Sequence, residues 1–184
     1  MTRIQNAAEE EALFADIKGR NTADYLIRTA QQHHVHMSAM ADTKANIIIT
    51  VSSIVLTLSL GRPNPPGFEQ STAVLMGFTL LALLLAVLAV LPKYRPIATD
   101  GVSLPSGFNV MFFGHFAAIT REEYYAEMAH ALKDDKATYR ALSNDLYSLG
   151  YYLAKHKYRY LRFSYISFLA GFLIAAIIQI PRFF

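Results

Sequence analysis

The sequence predicts an all-α integral membrane protein with three transmembrane helices and a small cytoplasmic helical bundle. The 184-residue chain is 53% hydrophobic and only 17% charged, it contains three long apolar runs, and its Lys and Arg residues are distributed unevenly around those runs. Typical soluble domains have about 25% charged residues, so this composition excludes disorder and favours a membrane protein. The absence of cysteine excludes disulfide frameworks and thiolate metal sites. A net charge of +3 is too small to indicate nucleic-acid binding.

The three apolar runs predict the membrane-spanning helices. Residues 71–91 contain no ionisable group, and residues 163–180 are also uncharged. At about 1.5 Å per residue, the first of these runs spans a hydrocarbon core of about 30 Å, and the second lies at the lower edge of the spanning range of about 17 to 25 residues. The third run, 45–60, is shorter and contains Asn, Ser and Thr. Because the loop 61–70 leads from it straight into the most apolar run, a transmembrane hairpin (45–60 and 71–91) is favoured over a buried core helix.

The distribution of Lys and Arg predicts the orientation of these spans, because basic residues accumulate on the cytoplasmic side. Fifteen of the 17 lie before the first run or between the second and third, whereas Arg62 and Arg182 lie elsewhere. We therefore expect an N-in, C-out arrangement in which residues 1–44 and 92–162 are cytoplasmic and 181–184 form a short external tail. The first apolar run begins too late in the chain for a cleaved secretory signal.

The cytoplasmic parts are expected to be helical. One helix should run from near Thr22 through the first span, because no Pro or Gly occurs between Thr22 and Gly61. Thr120 and Glu123 have the spacing of a capping box, so another helix should begin directly after Thr120. Gly150 is expected to weaken or bend a further helix that continues into the last span. The expected bundle consists of the N-terminal helix, a 121–134 helix and a 137–162 helix.

Four polar side chains in the first span are spaced four, three and four residues apart, so they share one helix face. They are Asn46, Thr50, Ser53 and Thr57. In one interpretation they bond their own backbone or join helices within a monomer. In the other, copies of this helix converge in a homo-oligomer to line a polar path, and Gly171 and Ala175 of the last span provide close helix contacts.

Asp42 and Lys44 lie at the cytoplasmic entrance of the first span, where a charged group must reach the interface or be paired. Simple interface anchoring is one interpretation. In the alternative, Asp42 pairs with a base of the cytoplasmic bundle such as Lys93 or Arg95 and couples that bundle to the membrane.

Three histidines near the first span, His33, His34 and His36, raise the question of a metal site. No acidic residue with ligand spacing accompanies them, so no metal is expected. The sequence also contains no metallohydrolase motif, no phosphate-cradling glycine-rich loop and no nucleophile elbow, so we do not expect an enzyme. A small-ion transporter that uses the histidines remains an alternative.

A dense aromatic segment, 108–116, lies in the middle of the cytoplasmic part and is followed by Arg121, Tyr124 and Tyr125. Aromatic rings stack on nucleobases and Arg binds phosphate, so these residue types suit a nucleotide pocket. They equally suit an ordinary core or an element that lies on the membrane surface.

Four stretches of the sequence carry a resemblance to a known family. They are Ala-Asp-x-Lys-Ala-Asn at 41–46, the aromatic stretch 109–116, the Tyr- and Asp-rich helix after it, and Lys-Tyr-x-Tyr-Leu-Arg at 157–162. Through these stretches, and from about Thr22 onward, the chain resembles the transmembrane effector family of the Pycsar antiphage system.

The resemblance implies a multi-pass protein of the prokaryotic inner (plasma) membrane that acts in abortive infection. It implies that the cytoplasmic part responds to cyclic UMP or cyclic CMP, made by a partner pyrimidine nucleotide cyclase, and that activation impairs the inner membrane. No other cofactor and no nucleic acid is expected, and the expected partners are the lipid bilayer, further copies of the chain and the cyclase. The alternative is a constitutive structural or assembly membrane protein whose cytoplasmic bundle binds another protein.

The resemblance does not identify the nucleotide-binding residues, so we nominate them from the chemistry of their side chains. Arg121 can bind the phosphate, and Tyr124 or Phe112 can stack on the base, with Asn109 close by in the sequence. These residues lie near the helix start at Thr120, where the helix dipole favours an anion.

Overall fold

A computed structural model describes residues 21–61, 66–92, 104 and 107–182 of the chain. Within these residues every regular element is helical and no strand occurs. In chain order the elements are α1 (Asn21–Leu60), α2 (Glu69–Val90), α3 (Phe113–Phe116), α4 (Arg121–Ala131), α5 (Asp135–Tyr152), a π-helical turn (Leu153–Lys157), α6 (Tyr158–Gln179) and a 3-10 turn (Ile180–Arg182). The predicted all-α fold is confirmed.

Within the described residues, three helical stretches are long and apolar enough to cross a membrane, which agrees with the predicted number of spans. They are α1, α2 and the continuous stretch Asp135–Gln179 that contains α5, the π-helical turn and α6. At about 1.5 Å per residue, the 40 residues of α1 extend for about 60 Å, roughly twice the thickness of a hydrocarbon core. The helix therefore continues well beyond its apolar part. The N-in, C-out orientation stays a prediction.

The chain divides into two compact units. The first unit contains Met1–His34 and Lys93–Tyr151, and the second contains Val35–Pro92 and Tyr152–Phe184. The long helix α1 belongs to both units, so the predicted helix from near Thr22 through the first span is confirmed as one continuous element.

The second unit is a bundle of α1, α2 and α6 with a core of small side chains. Its buried residues are Ala41, Ala45 and Ile48 of α1, Ala82, Ala86 and Ala89 of α2, and Leu161 of α6. Small side chains allow helix backbones to approach closely, which is how helices associate where water cannot drive their packing. Interhelical hydrogen bonds add to this: Ser164 Oγ donates to the Ala82 carbonyl at 2.6 Å, and Ser71 Oγ donates to Gln179 Oε1 at 2.9 Å.

Gly171 of α6 packs against α2 inside the same chain. A Cβ at this position would lie 2.6 Å from the Cβ of Phe78, so only glycine fits without a shift. Gly171 is therefore used within one subunit, and it is not available for the contact between copies that the sequence suggested for it.

The first unit shows the predicted capping box at the start of α4. The backbone nitrogen of Glu123 donates to Thr120 Oγ1 at 3.3 Å, and the backbone nitrogen of Thr120 donates to Glu123 Oε2 at 2.7 Å. This backbone hydrogen bond lowers the pKa of the Glu123 carboxyl. The helix ends at Ala131, earlier than predicted, because Asp134 caps the next helix by accepting a 2.8 Å hydrogen bond from the backbone nitrogen of Ala137.

The last helical stretch is interrupted at a different place from the predicted one. Gly150 lies within α5, where an added Cβ would be 3.0 Å from Cε1 of His34. The interruption follows it as the π-helical turn Leu153–Lys157, directly before α6. Such turns are rare and frequently lie at functional sites, which directs attention to the side chains that this one presents.

Candidate functional site

A buried asparagine fixes the chain just before α3. Asn109 is 2% exposed, and its Nδ2 donates to Asp145 Oδ1 of α5 at 3.0 Å. Its Oδ1 accepts a 3.0 Å hydrogen bond from the backbone nitrogen of Met111, and its own backbone nitrogen donates to Nδ1 of His115 at 2.9 Å. Because both side-chain atoms are bonded within the protein, Asn109 is a structural anchor for this segment.

The same network reaches α1. The second carboxylate oxygen of Asp145 accepts a hydrogen bond from Gln31 Nε2 at 2.9 Å. A second hydrogen bond joins the same two helices: the hydroxyl of Tyr139 in α5 donates to Asp24 Oδ1 in α1 at 2.6 Å. Asp145 therefore connects Asn109 to the helix that continues as the first candidate membrane span.

His115 is a pH-sensitive member of this network. Burial lowers the pKa of its imidazole. Its Nδ1 must be unprotonated to accept the hydrogen bond from the backbone of Asn109. Protonation would therefore remove one of the bonds that hold this segment.

The nominated ligand residues have separate surroundings. Arg121 donates through Nε to the Tyr125 hydroxyl at 2.9 Å, and its guanidinium lies 5.1 Å from the centre of the same ring. The ring of Tyr124 contacts that of Phe116 at 5.1 Å, and the ring of Phe112 meets His115 edge-on at 5.1 Å. The nomination of Arg121, Tyr124 and Phe112 stays a prediction.

Asn109, in contrast, borders a cavity of about 500 Å³ in the first unit. The wall also contains Phe108, the end of α4, the α4–α5 turn and the beginning of α5. Four basic side chains line it: His130, Lys133, Lys136 and Arg140. Sequence reasoning missed this cluster because its members lie in α4, in the turn after it and in α5, so no single helical repeat joins them.

The polar stripe of α1 lies on the surface of the chain. Asn46, Thr50, Ser53 and Thr57 are all exposed, whereas the buried residues of α1 are Ala41, Ala45, Ile48 and Ser52 on another face. Ser53 Oγ donates to the Ile49 carbonyl at 2.8 Å. Among the described residues, the other three stripe side chains have no hydrogen-bond partner. The stripe therefore does not join helices within the monomer in this structure.

Asp42 forms an ion pair with Lys157, the last residue of the π-helical turn. Nζ of Lys157 lies 2.6 Å from Asp42 Oδ1 and also donates to Ser38 Oγ at 2.9 Å. The lysine side chain is 11% exposed and the aspartate 42%. The expected partners, Lys93 and Arg95, lie outside the described residues, and the base in contact is one that sequence reasoning did not name. The pairing was missed because it joins positions 115 residues apart.

Two further hydrogen bonds join α1 to the same region of the last helical stretch. The Tyr158 hydroxyl donates to the Met37 carbonyl at 3.1 Å, and the Tyr165 hydroxyl donates to the Lys44 carbonyl at 3.3 Å. The Lys44 side chain itself is exposed, in keeping with an interface anchor.

Of the three histidines of α1, only His34 is partly buried, whereas His33 and His36 are exposed. The rings of His33 and His34 are 6.4 Å apart, and His34 lies against Gly150. In the described part of the chain, no group of three His, Asp or Glu side chains has the arrangement of a metal site.

Comparison with known proteins identifies a family that the chain resembles. The family model described as the Pycsar effector protein domain matches residues 25–181, which include the cavity, the polar stripe and Lys157. No curated protein and no solved structure is significantly similar to the chain.

Proposed function

Because the chain belongs to the Pycsar effector family, we propose that it is a prokaryotic inner-membrane effector that is gated by a cyclic pyrimidine mononucleotide. Family membership and the three span-length helices support a membrane effector role. In the proposal, a partner cyclase makes cyclic UMP or cyclic CMP during infection, the first unit faces the cytoplasm and binds it, and activation impairs the membrane. The effector acts without a catalytic step of its own.

The observation that carries the proposal is the exposed polar stripe on a helix with the composition of a membrane span. Three of its side chains, Asn46, Thr50 and Thr57, have no hydrogen-bond partner among the described residues. Leaving such groups in hydrocarbon is unfavourable, whereas hydrogen bonds between membrane helices contribute about 0.6 to 2 kcal/mol each. Copies of the chain that bring these stripes together would satisfy the side chains and create a water-compatible path.

Gating follows as a shift between two arrangements of the protein. A ligand can favour one arrangement only by binding it more tightly than the other. A hundredfold difference in affinity, for example, shifts the equilibrium by about 2.7 kcal/mol. Because α1 carries both Gln31 and the polar stripe, a change in how Gln31 is held in the first unit acts on the same rigid element that would line the path.

The test is dye release from liposomes that contain the purified protein, with and without cyclic UMP or cyclic CMP. Wild type is compared with a Thr50→Leu, Ser53→Leu, Thr57→Leu variant, in which the stripe is apolar. The matched control changes three exposed apolar residues of the same helix, as Ile47→Leu, Ile54→Leu and Leu58→Ile.

We expect nucleotide-dependent release by wild type and the control, and little release by the stripe variant. Equal release by all three proteins would remove the stripe from the mechanism. No response of wild type to either nucleotide would contradict gating and favour a constitutive structural or assembly protein.

A further inference from the structure

The cavity of the first unit has the size and composition of a small-molecule site. Its volume of about 500 Å³ lies within the range of about 300 to 1,000 Å³ that is usual for ligand pockets. Three separate segments form its wall: the residues before α3, the end of α4 with the following turn, and the first turns of α5. Phe108 supplies an aromatic ring, and Asn109 and Asn144 supply amides.

The charges around this cavity favour an anion. Lys133, Lys136 and Arg140 are basic side chains, and the acidic side chains in the wall are Glu127 and Asp134. The Asp134 carboxylate already caps α5 through its hydrogen bond from the backbone of Ala137. The wall therefore has an excess of cationic groups that can donate charge-assisted hydrogen bonds to a phosphate.

A cyclic mononucleotide has one anionic phosphate and one planar base. Cationic side chains and one ring at the edge of a shared cavity can bind both parts, because phosphate attracts Lys and Arg while every base can stack on an aromatic face. None of Arg121, Tyr124 and Phe112 lies in this wall.

We infer that this cavity is the nucleotide site, where Lys133, Lys136 and Arg140 bind the phosphate and Phe108 stacks on the base. The inference rests on the proposed function and locates its ligand. This location also connects the ligand to the spans, because Asn109 in the wall is hydrogen-bonded to Asp145, which is in turn hydrogen-bonded to Gln31 of α1. A nucleotide that repositions this wall acts on α1 through two hydrogen bonds.

Lys133 is the best position for a test. Its side chain is exposed and makes no hydrogen bond or ion pair with another described residue, whereas Lys136 and Arg140 have further interactions within the chain. Lys133→Glu therefore reverses a cavity charge without breaking an internal contact. Lys133→Arg keeps the charge, and Lys155→Glu makes the same reversal at an exposed lysine outside the cavity wall.

The experiment measures equilibrium binding of radiolabelled cyclic UMP and cyclic CMP to the full chain in detergent, with thermal unfolding of each variant as a check of folding. We expect Lys133→Glu to raise the Kd of the nucleotide that binds wild type by roughly 10- to 100-fold, the effect of losing a charge-assisted hydrogen bond. Lys155→Glu should keep the wild-type Kd within about a factor of three, and Lys133→Arg, which keeps the charge, should raise the Kd less than Lys133→Glu does.

The outcomes separate this inference from the proposed function. If wild type binds a nucleotide and Lys133→Glu binds it equally well, or if Lys155→Glu loses binding to the same extent, the cavity assignment is wrong while the gated effector stands. If wild type binds neither nucleotide, the proposed function itself is wrong and the cavity assignment falls with it.

Discussion

Among single residues, Lys157 and Asp42 form a contact whose two side chains differ in burial. The lysine side chain is 11% exposed and the aspartate 42%. Removing the acid leaves a buried ammonium with Ser38 as its remaining hydrogen-bond partner, whereas removing the lysine leaves a carboxylate that water can reach. We therefore expect Asp42→Ala to destabilise the protein by about 1 to 3 kcal/mol, and Lys157→Met to cost less.

Thermal unfolding in detergent micelles measures this asymmetry. Lys44→Met is the control, because this neighbouring lysine is exposed and should have little effect. The double variant Asp42→Ala, Lys157→Met should be more stable than Asp42→Ala alone, since it contains no unpaired buried charge. A larger loss for Lys157→Met than for Asp42→Ala would contradict this description of the pair.

The half-buried His115 predicts a dependence of stability on pH. Its pKa is lowered in the folded protein, so below about 6.5 the unfolded state binds more protons and folding becomes less favourable. The stabilising contribution is present above this pH and is lost as the pH falls through 6.5 and below. The melting temperature of wild type should therefore fall more steeply between pH 7.5 and 5.5 than that of His115→Gln.

The comparison needs a second histidine variant. His36→Gln should keep the steep wild-type dependence, because His36 takes no part in the Asn109 network. Identical pH profiles for wild type and His115→Gln would show that the imidazole is not held in its neutral form.

At the level of whole elements, glycines provide a sharp test of helix packing in the second unit. Gly171→Ala should destabilise the α2–α6 contact by about 1 to 3 kcal/mol, because its Cβ would lie 2.6 Å from Phe78 Cβ. Gly77→Ala makes the same change in α2 with no heavy atom within 4 Å, so it should be neutral or stabilise by up to about 1 kcal/mol. Melting temperatures of both variants test this, and equal effects would contradict the packing described.

The elements that the sequence predicted correctly are those with local signals. Apolar runs identified the three spans, and the spacing of Thr120 and Glu123 identified the start of α4. The end of α4 was placed too late because the competing cap, Asp134, was not recognised as the start of α5. The π-helical turn had no local sequence signal. Its last residue, Lys157, contacts Asp42, which is distant in the sequence.

The residues nominated for the candidate site stay predictions. Arg121 was nominated for its position at a helix start, and its Nε donates a hydrogen bond to the Tyr125 hydroxyl one turn along the same helix. That local pairing was readable from the spacing of four residues. The cavity, by comparison, forms only when the segment before α3 meets α4 and α5 in the folded first unit, so its wall cannot be derived from any one segment.

In the molecule as a whole, α1 joins the proposed sensing and membrane-impairing functions. Toward one end of α1, Gln31 is hydrogen-bonded to Asp145 in the first unit. Farther along the same helix, the exposed side chains of Asn46, Thr50 and Thr57 have no hydrogen-bond partners among the described residues. A shift in the first unit can therefore change how copies of α1 meet. The central claim is that the nucleotide opens a water-accessible path along this stripe.

The absence of cysteine from the sequence allows a direct test of that claim. Thr50→Cys places the sole thiol of the chain on the stripe, and Val51→Cys places it on the adjacent exposed position, about 100° around the helix. The measurement is the rate at which a membrane-impermeant thiol reagent labels each variant in liposomes, with and without cyclic UMP or cyclic CMP. We expect the nucleotide to accelerate labelling at position 50 and not at 51. Unchanged labelling at position 50, in a variant that still binds nucleotide, would contradict the account.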